Sequence, residues 1–213
     1  MKASSWTIIL CFLVTFTAFV FPGLVNFLAF TPADLYRLRL WTLVTALFLH
    51  SSLLHLLGNM IFLFVLGRTL ERVTNSKRFL TVFLVGGTLS FILSVPFYDP
   101  DVLMLGASAA IFSVASAVML ITPLTFSIIF LAPVGAVALL YFLYNVLAVY
   151  YGISGNVAYI SHIIGFALGI PFGIRWSRNW KRNLGLSIIL LLIYMVLTWI
   201  IARLFTISIP VSI

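Results

Sequence analysis

Long apolar runs constrain the fold of this chain more than any other feature of its sequence. Seven runs of about 18 to 25 residues follow one another between Trp6 and Phe205, and a helix of that length can cross the hydrocarbon core of a bilayer. Only 8% of the residues are charged and the mean hydropathy is +1.25, whereas a soluble domain carries about a quarter charged residues. The sequence therefore predicts an integral membrane protein with several spans.

The runs also give approximate bounds for the predicted helices. These spans cover residues 6–30, 46–66, 79–97, 103–121, 134–151, 157–176 and 184–205. The intervening stretch 31–45 predicts an interfacial segment, and 125–131 a re-entrant or interfacial piece. The first run could belong to a cleaved signal peptide, but no small-x-small cleavage site closes it early, so we favour an uncleaved span. The predicted fold is an all-α, polytopic helical bundle.

Twelve basic and four acidic residues give a formal net charge of +8. The basic residues lie between the apolar runs, and nine of the twelve fall on the cytoplasmic side if the N-terminus is cytoplasmic. This bias predicts a multi-pass protein of the plasma membrane with its N-terminus inside. Basic charge distributed along membrane flanks does not indicate a nucleic-acid patch, and we expect no nucleic-acid partner.

Polar side chains inside the predicted spans are the candidates for a functional site, because ionisable groups are costly in lipid. All three histidines, His50, His55 and His162, fall within or at the edge of a span. Asn59 follows His55 by four residues, which places both on one helix face. His50 would lie about 140° round the same predicted helix, nearer the outer surface. Taken singly, such residues are more often structural hydrogen-bonding groups.

The fourth span begins close to a serine that could act as a nucleophile. Gly106-Ala107-Ser108 places Ser108 in the first turns of the predicted helix. The N–H groups there have no intrahelical partner and the helix dipole favours negative charge, so the position suits an oxyanion. Gly106 lets the backbone bend and another group approach closely.

Small residues on two spans predict close helix packing. They are Ala109, Ser113 and Ala117 in the fourth span, and Gly165, Gly169 and Gly173 in the sixth. If these two stripes pack together, Ser108 and His162 come within hydrogen-bond reach, which is the geometry that a nucleophile and its base require.

At these residues the chain resembles the rhomboid family of intramembrane serine proteases, and the resemblance covers about residues 40–173. The matching positions are Gly106 and Ser108 in the fourth span; His162, Gly165 and Gly169 in the sixth; His50, His55, Asn59, Gly67 and Glu71 in the second; and Trp41, Thr45 and Phe48 before it. Three positions depart from the common family pattern. Thr42 replaces an arginine, Ala109 replaces a glycine and Phe112 replaces a tyrosine that packs on the histidine.

The resemblance implies a rhomboid-like bundle of six core transmembrane helices, at about 6–176, plus a C-terminal seventh at about 184–205, all forming one domain over 1–213. It implies a serine endopeptidase that cleaves transmembrane segments of membrane-protein substrates without a cofactor. Ser108 and His162 would form the catalytic dyad. The oxyanion would be bound by the Ser108 N–H and the side chains of His55 and Asn59. The site would open to the outer side.

By the same resemblance, the segment 152–157 would act as a lid, and polar residues at 50–52 would line the entrance for water. We expect no Asp or Glu within a span to orient His162.

Three other functions are compatible with buried polar residues. A transporter or channel would require paired ionisable groups or broken helices at mid-membrane, and none is evident. A metalloprotease would use the histidines as ligands, but the chain contains no His-Glu-x-x-His. A non-catalytic rhomboid-like binding protein is the nearest alternative, although this chain has both Ser108 and His162.

Overall fold

A computed structural model describes residues 2–153 and 158–207 of the chain. Its helices are α1 (Ala3–Val20), α2 (Gly23–Leu28), α3 (Thr42–Thr45), α4 (Leu53–Phe62), α5 (Arg68–Val73), α6 (Ser76–Ser94), α7 (Ser108–Ile121), α8 (Val134–Tyr150), α9 (Tyr159–Trp176) and α10 (Trp180–Ile207). A π-helical turn, Leu63–Gly67, joins α4 to α5, and 3-10 helices cover Pro32–Asp34, Ala46–Phe48 and Val95–Phe97. The prediction of an all-α bundle is confirmed.

Within residues 2–153 and 158–207, four helical stretches are long and apolar enough to cross a bilayer. They are Ala3–Val20, Leu53–Val73, Ser76–Phe97 and Trp180–Arg203. Two further apolar helices, α7 and α8, are shorter. The sixth predicted span corresponds to α9, which has 18 residues but includes the polar residues His162 and Arg175. Each predicted span therefore corresponds to a helix, and four of these seven helices are long and apolar enough to cross a bilayer by themselves.

Two predicted boundaries in the first half of the chain are wrong. The first span does not continue to residue 30, because the helix ends at Val20 and Pro22 follows, where the ring and missing N–H of proline disfavour a continued helix. The second span does not begin at residue 46. It begins at Leu53, where the Ser52 side chain accepts a hydrogen bond from the His55 N–H at 3.1 Å and caps the helix.

The stretch 125–131, predicted as a re-entrant or interfacial piece, forms the first strand and the turn of a two-stranded antiparallel hairpin. Strand β1 (Phe126–Ser127) pairs with β2 (Ala132–Pro133), and the hairpin connects α7 to α8. Pairing between the strands satisfies backbone groups that a short apolar loop would otherwise leave without partners.

Helix α7 lies at the centre of the bundle. All its residues from Ala109 to Leu120 are buried, and it packs against α6, α8 and α9. Its 14 residues span about 21 Å at the usual helical rise, which is less than the roughly 30 Å thickness of the hydrocarbon core. At least one end of α7 therefore lies within the thickness of the membrane.

Contact between α7 and α9 is made backbone to backbone. A Cβ atom added at Gly165 would collide with the Ala109 carbonyl oxygen, and one at Gly169 would collide with the Ser113 carbonyl oxygen. The Ser113 hydroxyl also donates a hydrogen bond to the Gly165 carbonyl at 2.6 Å. Glycine at these positions thus sets the spacing of the two helices that carry Ser108 and His162.

A buried carboxylate ties the N-terminus of α1 to the α5–α6 junction. Glu71 accepts hydrogen bonds from the Ala3 N–H at 2.7 Å, from the Ser4 N–H and hydroxyl, and from the Ser76 hydroxyl. A carboxylate at a helix N-terminus complements the unpaired N–H groups and the dipole. Glu71 belongs to the stretch Leu53–Val73, so one carboxylate does lie within a span, where it bonds to the start of α1 and to Ser76 rather than orienting His162.

Helix α10 is packed onto the core. The Asn183 amide on this helix donates to the Leu120 and Ile121 carbonyls at the end of α7, at 2.8 and 3.1 Å. A Cβ atom at Gly135 of α8 would lie 2.5 Å from the Ser187 hydroxyl oxygen. These contacts join the C-terminal helix to both α7 and α8.

Candidate active site

Ser108 and His162 are in direct contact. Ser108 is the first residue of α7 and His162 lies in the first turn of α9. The Ser108 Oγ atom lies 2.7 Å from His162 Nε2, within hydrogen-bond distance. His162 is only 6% exposed, whereas Ser108 is partly accessible. A hydroxyl held against an imidazole nitrogen in this way is the arrangement that activates a serine for nucleophilic attack.

Stacking fixes the plane of the His162 ring. The Phe112 ring lies parallel to it, with ring centroids 4.8 Å apart and an interplanar angle of 16°. Phe112 is one turn after Ser108 on α7, so the same helix carries both the hydroxyl and the ring that supports the imidazole. The position where the chain has Phe instead of Tyr thus retains the aromatic contact.

The segment before Ser108 has a conformation that requires glycine. Gly106 has φ +116°, and a Cβ atom there would lie 2.8 Å from the His55 ring. The Gly106 N–H donates to the Ala46 carbonyl at 2.9 Å, which anchors the segment to the chain that leads into α4. The structure therefore places His55 beside the loop that carries Ser108.

His50 holds the same segment from the other side, but not as part of a helix. It precedes α4, is 1% exposed, and accepts a hydrogen bond at Nε2 from the Ala107 N–H at 3.3 Å. Its Nδ1 lies 3.2 Å from the Thr15 hydroxyl oxygen, and that hydroxyl lies 3.3 Å from the Phe48 carbonyl oxygen. Because Nε2 accepts, Nδ1 carries the proton and donates to Thr15. The expectation that His50 lies on a helix and lines a water entrance is wrong.

His55 and Asn59 lie one turn apart on α4, and each side chain has a partner close to it in the chain. His55 Nδ1 is 3.1 Å from the Ser51 hydroxyl oxygen, and its ring meets the His50 ring edge-on at a centroid distance of 5.1 Å. The Asn59 amide donates to the His55 carbonyl at 3.0 Å. A primary amide has two N–H donors, and this bond uses one of them.

Sequence reasoning missed one further polar residue at the site, Asn145 of α8. Its Oδ1 atom lies 2.7 Å from His162 Nδ1, on the opposite side of the ring from Ser108. Asn145 is 1% exposed. A signal was present, because Asn145 is the only Asn, Gln or charged residue in the span 134–151. Which helix it faces cannot be determined from that pattern.

The described residues, 2–153 and 158–207, contain no group of three His, Cys, Asp or Glu side chains that could hold a metal ion. Both ring nitrogens of His50 have protein partners, which leaves no lone pair for a metal. The geometry therefore gives no support to a site made of three histidine ligands. Residues 154–157 of the expected lid lie outside the described residues.

These features define a class of protein, a polytopic helical membrane protein with a serine–histidine pair between its central helix, α7, and the adjacent helix α9. The family model described as Rhomboid domain matches residues 37–179, more than half of the chain. The chain belongs to the rhomboid family.

Two curated relatives match shorter stretches. The chain is 34% identical over 84 residues to RHOMBOID-like protein 7 of Arabidopsis thaliana, covering 39% of this chain and 26% of the relative. It is 35% identical over 86 residues to Rhomboid-like protease 3 of Toxoplasma gondii, covering 40% of this chain and 32% of the relative. The matched stretch is thus about a third or less of each relative's length.

Proposed function

We propose that the protein is an intramembrane serine endopeptidase that cleaves transmembrane segments of other membrane proteins. The observation that carries the proposal is the 2.7 Å contact between Ser108 Oγ and His162 Nε2 at the N-terminal end of α7. Membership of the rhomboid family supports it, as does a relative whose name describes it as a protease.

In the proposed reaction Ser108 Oγ attacks the carbonyl carbon of a substrate peptide bond while His162 Nε2 takes the hydroxyl proton. His162 then gives this proton to the departing amine, and the substrate's N-terminal part stays attached to Ser108 as an ester. Water attacks that ester with His162 again as base, which releases the carboxylate product and restores the serine. The reaction consumes one water and requires no cofactor.

The developing negative charge of the substrate oxygen would be stabilised at the first turn of α7. The Ser108 N–H lies there, and His55 and Asn59 are the side chains proposed as further donors. Donors aimed at the oxyanion act most strongly where water is excluded, and removing one costs roughly 100- to 1000-fold in rate.

We propose that the site faces the outer side of the membrane, with the N-terminus in the cytoplasm. The Ala3 end of α1 bonds to Glu71, close to the basic residues of 68–78. Ser108 lies at the other end of the bundle, beyond a loop that carries Asp99 and Asp101. The positive-inside rule assigns the basic end to the cytoplasm. The substrate peptide bond would then lie near the outer end of its own transmembrane helix, in the plasma membrane.

We further propose that 1–213 acts as one domain, with a six-helix core at about 6–176 and the additional span at about 184–205. The bonds from Asn183 to the end of α7 support this arrangement, because they tie α10 to the helix that carries Ser108.

The test uses purified protein in lipid and a fluorogenic transmembrane substrate, with wild type, Ser108→Ala and His162→Ala. A matched control is Ser116→Ala, on the same helix, whose hydroxyl donates to the Ser113 carbonyl of the helix itself. We expect both site variants to lose activity and the control to retain it. Activity in Ser108→Ala would overturn the proposal.

Labelling with a fluorophosphonate removes the dependence on the choice of substrate, because it reports an activated serine directly. We expect labelling of wild type and Ser116→Ala, and none of Ser108→Ala. A folded wild-type protein that is neither labelled nor active would instead indicate a non-catalytic rhomboid-like binding protein.

A further inference from the structure

The side of His162 that faces away from Ser108 contacts a buried amide. Asn145 Oδ1 lies 2.7 Å from His162 Nδ1, and the Asn145 side chain is almost fully removed from solvent. A polar side chain at this depth requires partners, since a buried donor or acceptor without one costs about 1 to 3 kcal/mol. The oxygen and the nitrogen of the Asn145 side chain both have hydrogen-bond partners, so the amide is held in one orientation.

The orientation of the amide determines which nitrogen of His162 carries the proton. Asn145 Nδ2 donates to the Tyr141 carbonyl one turn earlier on α8, at 2.8 Å. The oxygen therefore faces the imidazole and can only accept, which requires a proton on Nδ1. In the neutral ring Nε2 then has a free lone pair, and this lone pair is directed at the Ser108 hydroxyl.

The stacked rings of Phe112 and Tyr141, together with the Asn145 amide, restrict both the tilt and the rotation of the His162 ring. His162 stacks on Phe112, and Phe112 stacks on Tyr141 with a centroid distance of 4.2 Å. Tyr141 is also the residue whose carbonyl orients Asn145. The stack fixes the ring plane, and the hydrogen bond to Asn145 fixes rotation within that plane.

We propose that Asn145 is a positioning residue for the reaction and that the site works as a Ser108–His162–Asn145 triad. Asn145 acts through His162 and does not touch the substrate. It keeps the proton on Nδ1, aims Nε2 at Ser108, and accepts a stronger, charge-assisted hydrogen bond when His162 becomes an imidazolium. This inference rests on the proposed protease function.

The first test is the steady-state kinetics of Asn145→Leu and Asn145→Asp in lipid. Leucine has a similar volume but no acceptor, so we expect kcat to fall about 10- to 100-fold, as the loss of one hydrogen bond to a charged group would cause, with KM nearly unchanged. Aspartate restores an oxygen acceptor for Nδ1, so Asn145→Asp should recover at least several-fold of the lost kcat.

A matched control separates this role from mere structural support. Asn183 is also a buried asparagine that bonds to main-chain carbonyls, but its contacts lie at the opposite end of α7. Asn183→Leu should lower the thermal midpoint as much as Asn145→Leu and leave kcat within about twofold. Equal kcat losses in the two variants, or no rescue by aspartate, would overturn the role of Asn145.

A spectroscopic measurement on wild type does not depend on any variant folding. With ¹⁵N-labelled histidine, assigned by comparison with His162→Gln, the neutral His162 ring should give one protonated Nδ1 and one unprotonated Nε2. A ring protonated mainly at Nε2 would contradict the inference.

The outcomes also separate the two proposals. If wild type is active and Asn145→Leu keeps full kcat, the triad is wrong and the serine protease proposal stands. If folded wild type neither cleaves nor reacts with a fluorophosphonate, the protease proposal is wrong, and the triad falls with it whichever tautomer is observed.

Discussion

His50 and His162 are both buried in the bundle, and both use two ring nitrogens, yet their partners give them different chemistry. At His50, Nε2 accepts from the Ala107 main-chain N–H, and a backbone amide cannot give up its proton. At His162, Nε2 faces the Ser108 hydroxyl, which can. Burial and hydrogen-bond count are therefore alike, and the partner of Nε2 separates a histidine that holds a loop from one suited to act as a base.

The same substitution at both positions gives the sharpest test of this difference. Glutamine can replace the acceptor at His50 but cannot act as a base at His162. We expect His162→Gln to lose at least about 1000-fold in kcat/KM with little change in thermal midpoint, and His50→Gln to stay within about 10-fold of wild type. Cleavage assays and thermal unfolding of the two variants in the same lipid provide the measurement. Similar activity losses in both would contradict the distinction.

The segment Gly106-Ala107, which leads into Ser108 and is held by His50, should be the next most sensitive element. Gly106→Ala adds a Cβ atom 2.8 Å from the His55 ring at φ +116°, a backbone angle that alanine rarely adopts. We expect displacement of Ser108, a loss of roughly 100-fold in kcat/KM and a destabilisation of about 1 to 3 kcal/mol. Gly185→Ala on α10 is a control. Nothing lies near the added Cβ atom and the residue is helical, so stability and activity should both change little.

The smallest expected effect belongs to the outer partner of His50. Thr15→Val keeps the shape of the side chain but removes the hydroxyl that accepts from His50 Nδ1. We expect about 1 kcal/mol of destabilisation and a loss of only a few-fold in kcat, because Ser108 and His162 are not touched. Thermal unfolding and cleavage rates of Thr15→Val would measure this, beside those of Thr198→Val, whose hydroxyl donates to main-chain carbonyls of its own helix, α10. A loss of activity as large as that of His162→Gln would mean that His50 takes part in the chemistry.

Much of the fold was predictable because membrane helices are strongly encoded by local composition. The positions of the apolar runs predicted a helix at each of the seven places, and Ser108 was expected within the first turns of α7. The predicted start of α4 was wrong because hydropathy continues through residues 46–52, whereas the Ser52 cap starts the regular helix at Leu53 and the His50 side chain before it accepts from the Ala107 N–H. Hydropathy reports transfer into lipid and contains no information on capping.

Less of the site was predictable, for a different physical reason. Small residues on the fourth and sixth spans gave the pair of helices that pack, and this pairing brings Ser108 to His162. Asn145 was missed because a single polar residue in a span gives neither the rotation of its helix nor its neighbour. Glu71 was expected at the end of the second span, but its four hydrogen bonds to α1 and α6 could not be read from that position.

The sequence by itself determined that this is a membrane protein and approximately which residues form its helices. It also determined the resemblance to the rhomboid family and the few polar residues that are candidates for chemistry. Only the tertiary structure decided what each of those residues faces. The proton position on His162 depends on an amide from α8 and a hydroxyl from α7, and His50 depends on α1 and on the loop before Ser108. Such contacts arise from the rotation and depth of whole helices, which packing sets and local sequence does not specify.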